Sequence, residues 1–82
     1  MQLTSAMTGQ TIVRWEFTRD GERVTCQVKQ NARTGAFAVL MYSDLQRASM
    51  EVFQVAAVAF RRVATMAAEL RASGWKLDGT TA

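Results

Sequence analysis

Residues 13–28 read VRWEFTRDGERVTCQV, and this stretch decides the fold. Val13, Trp15 and Phe17 alternate with Arg14, Glu16 and Thr18, the period of two that marks a half-buried strand. Asp20-Gly21 then interrupts the alternation. A two-residue type I′ turn needs positive φ at both positions, which Asp and Gly tolerate, so the pair predicts a tight hairpin. Pairing Arg19 with Glu22 sets the register. It places Phe17 opposite Val24, Trp15 opposite Cys26 and Val13 opposite Val28. On the other face Thr18 meets Arg23, Glu16 meets Thr25 and Arg14 meets Gln27. One face is apolar and the other polar, so turn chemistry and patterning agree.

Working outward, Asn31 to Gly35 (NARTG) reads as a second turn, with Gly for a left-handed position. A third strand follows, Ala36 to Tyr42, apolar on both faces. The pattern leaves open which face meets the core, with Phe37, Val39 and Met41 the favoured side. Ser43 then reads as a helix N-cap, with Gln46 as its capping-box partner and Asp44 near the positive helix end. Residues 44–72 lack Gly and Pro and are rich in Ala, Leu, Met and Glu, which predicts one long helix stopped by Ser73-Gly74.

The predicted fold is therefore α+β, a three-stranded antiparallel β-meander followed by one long C-terminal helix packed on one sheet face. The 82 residues form a single domain: a flexible start over 1–10, the meander over 11–42, the helix over 43–73 and a tail over 74–82. This order is similar to that of small dimeric single-strand-binding proteins, a likeness of architecture that no run of residues carries.

Such a helix carries too much apolar surface. One stripe holds Leu45, Val52, Val55, Ala59, Val63 and Met66; an adjacent one holds Met50, Phe53, Ala57, Phe60 and Ala64. Arg47, Glu51, Gln54, Arg61, Arg62 and Glu69 make the polar face, which Val58 interrupts. A helix on one sheet needs a single stripe a little over 100° wide. It would also run about 43 Å, beyond the roughly 30 Å of a nine-residue strand. Either the helix breaks and wraps its own small core, or the surplus meets another chain; the favoured second reading predicts a homodimer or another protein partner, with Met50, Phe53, Ala57, Phe60 and Ala64 as the interface. A third strand apolar on both faces at a sheet edge points the same way.

Composition bounds the rest. Hydrophobic residues make up 49% and charged residues 21%, ordinary for a globular chain. A domain this small commonly needs a staple, and a single cysteine forbids an internal disulfide. With no histidine there is no Ser-His or Cys-His nucleophile pair. No CxxC or HExxH spacing signals a metal, and the five glycines are too scattered for a phosphate loop. No enzyme, catalytic residue, metal or cofactor is expected. Cys26 alternates with Val24 and Val28 and reads as an inert core thiol.

The formal net charge is +3. The polar sheet face presents Arg14, Arg23 and Lys29, with Arg33 in the next turn, so nucleic-acid contact through these four is the alternative function. Trp15 and Phe17 point away from that face, which removes the stacking platform of single-strand binders. Neither a signal peptide nor an apolar run of membrane-spanning length is present, and with a lone cysteine this predicts a soluble, cytoplasmic protein.

Overall fold

A computed structural model describes residues 9–43 and 49–81. In chain order the elements are β1 (Gly9–Arg19), β2 (Glu22–Asn31), β3 (Phe37–Ser43), β4 (Ser49–Phe53), α1 (Ala56–Ala72) and β5 (Lys76–Thr81). The five strands form one antiparallel sheet in the order β4-β3-β2-β1-β5. The helix covers one face. The architecture is α+β, but the expected three strands are five, and the long helix is a strand followed by a shorter helix.

The β1–β2 hairpin has the register read from the sequence, with Arg19 opposite Glu22, Phe17 opposite Val24 and Trp15 opposite Cys26. Asp20 and Gly21 take φ of 52° and 82°, the left-handed pair a type I′ turn requires. A methyl group at Gly21 would touch nothing within 4 Å, so only the backbone opposes it. Gly21→Ala is expected to lower stability by about 1–2 kcal/mol, read as a shift in urea midpoint. An unchanged midpoint would mean that the turn carries no such strain.

β1 begins at Gly9, so Gly9 and Gln10, expected in a flexible start, pair with Asn31 and Gln30. Residues 1–8 of that start lie outside the described residues. The second turn forms as expected. The Asn31 side-chain oxygen accepts from the backbone N–H groups of Arg33 (2.7 Å) and Thr34 (3.0 Å), and Gly35 has φ of 77°. Val39 on β3 is fully buried and lies opposite Val28, while Phe37 and Met41 pack against the core, so of the two facings left open by the sequence this strand takes the favoured one.

The correction falls after Ser43. This residue ends β3 and does not start a helix. Asp44 and Gln46, its expected capping partners, lie outside the described residues, as do Leu45 and Arg47. Ser49–Phe53 is a strand with Met50 opposite Leu40 and Val52 opposite Ala38. The pattern SMEVF satisfies both periods, since Met50 and Phe53 are one helical turn apart while Met50 and Val52 share one strand face. Tertiary context decides between them. Without β4, the doubly apolar β3 would be a bare edge; β4 pairs it within the same chain.

The helix then starts at Ala56, with Val55 at its N-cap position in extended conformation and no side-chain cap. At 17 residues it is about 25 Å long, which matches the sheet it covers. It ends at Ser73-Gly74 as expected, with Gly74 at φ 94° and the Trp75 N–H closing onto the Leu70 carbonyl at 3.0 Å. The expected tail is instead β5, an edge strand along β1. Its turn is pinned by Arg19, whose guanidinium lies 4.7 Å from the Trp75 ring centroid and donates to the Ser73 carbonyl at 2.7 Å.

The core lies between sheet and helix. Phe17, Cys26, Val28 and Val39 from the sheet meet Ala59, Val63, Met66 and Ala67 from α1.

Candidate interaction surfaces

Strand alternation gives the sheet an inner face under α1 and an open face. Register places Arg14, Glu16, Thr25, Gln27 and Lys29 on β1 and β2, Leu40 and Tyr42 on β3, and Met50 and Val52 on β4 on the open face. Its β1–β2 half is polar and its β3–β4 half apolar. Met50 and Val52 are 61% and 55% exposed. With Ala36, Ala38, Leu40, Lys29 and the end of β2 they line a groove of about 240 Å³.

The five residues expected to form one interface do not share a surface. Met50 lies on the open face, and Phe53, on the inner side of β4, packs against the core. Ala57, Phe60 and Ala64 stay together on the outer side of α1, all exposed. Their separation follows from β4: once Met50 and Phe53 are in a strand, an odd spacing puts them on opposite faces.

Two contacts orient the helix. The Arg62 guanidinium donates through Nε (2.9 Å) and Nη2 (3.1 Å) to both carboxylate oxygens of Glu51 on β4. Arg71 lies 6.0 Å from the ring centroid of Phe17 on β1. Helical spacing puts Val55 and Val58 on the Arg62 flank, over the β4 edge, and Phe60 and Ala64 on the Arg71 flank. Val55 and Val58 are 56% and 39% exposed. Neither was assigned to an interface from sequence; the signal was Val58, the apolar interruption of a polar face.

The hydrogen bonds from Arg62 hold the Glu51 carboxyl below its ordinary range, against an opposing effect of burial, and Glu51 in turn raises Arg62. Because the folded carboxyl is the stronger acid, its contribution is present above the unfolded pKa and is lost as pH falls through the folded one. A carboxyl NMR titration is expected to place the Glu51 midpoint below the ordinary glutamate value, and Arg62→Ala to return it there. A Glu51 midpoint at the ordinary value in the parent chain would mean that the ion pair does not persist in water.

The four candidate nucleic-acid contacts are divided. Arg14, Arg23 and Lys29 share the open face, but Arg14 is paired with Glu16 at 3.0 Å. Arg33 stands in the β2–β3 turn and is exposed. Trp15 and Phe17 lie on the inner face, and Tyr42, opposite Thr25, is the aromatic on the open one.

Cys26 is fully buried, and burial pushes its thiol up to about 11. Among the described residues no group of three or more His, Cys, Asp or Glu could hold a metal ion. None of the described helices is long and apolar enough to cross a membrane. No family model, curated protein or solved structure matches the chain, so its functional reading stands on these surfaces.

Proposed function

We propose that the chain is a non-enzymatic, homodimeric interaction module. The observation that carries this reading is the placement of its bare apolar side chains. Six large hydrophobics are well exposed among the described residues; Met50 and Val52 lie on the open face of β4, and Val55 and Val58 on the helix side of the same edge. Scattered exposed hydrophobics are ordinary, whereas apolar side chains on both sides of one edge strand favour association along that edge. Apolar burial is nearly indifferent to salt. Light scattering should therefore give twice the 9.1 kDa chain mass at both low and high salt. A mass of one chain at both salts would overturn the reading.

The alternative is a weak, sequence-tolerant nucleic-acid binder. It is favoured by Arg23, Lys29 and Tyr42 sharing the open face, and weakened by the Arg14–Glu16 pair. Phosphate binding would weaken as salt rises, with a slope set by the number of cations engaged. An oligonucleotide titration checks it. Binding that weakens with salt and with Lys29→Ala supports this alternative, and no binding at low salt ends it.

A further inference from the structure

We infer that the second copy docks by its own β4, pairing antiparallel with the first β4 about a two-fold axis through Glu51, so that two five-stranded sheets become one of ten. This rests on the dimer reading above and names its interface.

β4 is the outermost strand on one side of the sheet, and its outer backbone groups have no strand beside them among the described residues. The other outer strand, β5, is protected in the ways edge strands usually are. It carries Lys76, Asp78 and Gly79, and its pairing with β1 is broken by an irregularity. β4 has a single charge, Glu51, and that charge is neutralised by Arg62 of its own chain.

Self-complementarity singles out a second copy as the occupant. An axis perpendicular to the sheet pairs residues of like face, as an isologous contact demands. About Glu51 it sets Met50 opposite the second copy's Val52, twice, and Ser49 opposite its Phe53. The apolar groove of each open face then continues into its counterpart. On the helix side Val55 and Val58 of both copies approach the same axis. The two Glu51 residues meet as two ion pairs and not as two bare carboxylates. A stable interface takes about 800 Å² from each partner; a five-residue edge alone is narrower, and the side chains on both of its faces widen it. Of the open-face cations, Arg14 is paired with Glu16 and Arg23 lies on β2 two strands from the axis, while Lys29 borders the groove beside Ala38.

The test is the mass of three variants beside the parent chain, with far-ultraviolet circular dichroism as the check on folding. Met50→Lys with Val52→Lys places four ammonium groups around the axis and is expected to weaken dimerisation at least tenfold. Val58→Glu, which leaves β4 untouched, should weaken it in the same direction and keeps the test open if the double variant fails to fold. Phe60→Glu, on the other helix flank, should remain dimeric. A parent dimer that survives both the lysines and Val58→Glu overturns this pairing while the dimer reading stands. A dimer that only Phe60→Glu dissociates does the same and moves the interface to the outer helix. A monomeric parent overturns both.

Discussion

Phe17→Ala will remove about 3–5 kcal/mol of stability at 25 °C. Phe17 is the largest fully buried side chain, on β1 next to the centre of the sheet, opposite Val24 on one side and Leu77 on the other. α1 closes over it, with Arg71 above the ring. Truncating a buried Phe costs about 3–5 kcal/mol, part lost transfer energy and part cavity. At the usual 0.05–0.15 kcal/mol per residue, a chain of this size has about 4–12 kcal/mol in all. One ring thus carries a large share of the margin. A urea melt should show a midpoint lowered by at least 2 M, taking a slope of about 1 kcal/mol/M for a small domain, or no folded baseline at all. Phe17→Leu, which keeps most of the volume, should melt much closer to the parent. Equal midpoints for the Ala variant and the parent would show that the core is not centred on β1.

The second large effect is chemical. A thiol titrating near 11 instead of 9.0 is about a hundredfold less ionised at pH 8, and the thiolate is the reactive form. Cys26 is also sealed from reagents by the helix. Alkylation of the folded protein should be at least a hundredfold slower than in denaturant, where the rate should rise to that of a free cysteine. The same shift bears on stability. The folded state retains a proton that the unfolded chain releases from about pH 9 upward, so stability should fall between about pH 9 and 11. Rapid stoichiometric labelling at pH 8 without denaturant would show that the thiol is open to solvent.

The hairpin was legible down to its register because three independent signals coincide there: alternation, turn chemistry and cross-strand matching. Its neighbour β3 was legible as a strand, but with both faces apolar its register and facing were not. β4 was hidden because SMEVF reads equally well at two periods and is followed by a genuine helix. A local pattern could not show that the strand before it needed an edge partner. The surplus apolar surface noticed in the sequence was real in part. β4 absorbed Phe53, the shorter helix removed the length mismatch, and Met50, Val52, Val55 and Val58 remain exposed. β5 was hidden for a different reason. KLDGTT has little alternation and a glycine, and it becomes a strand by completing the free side of β1. The proposed interface was therefore half visible. Met50 belonged to the expected set, whereas the partnership of β4 with the Arg62 flank depends on a contact between residues 51 and 62 that only the folded chain creates.

The most direct test of that interface is amide hydrogen exchange along Ser49–Phe53, followed by NMR at protein concentrations that give the dimer mass. In an antiparallel strand alternate N–H groups point to either side. In an isolated chain those facing β3 are protected and those facing outward meet water. Pairing of β4 with itself predicts protection at successive residues through the strand, with the outward set losing it on dilution as the dimer dissociates. Outward amides that exchange at unprotected rates while the mass is that of a dimer would contradict the account and place the interface elsewhere.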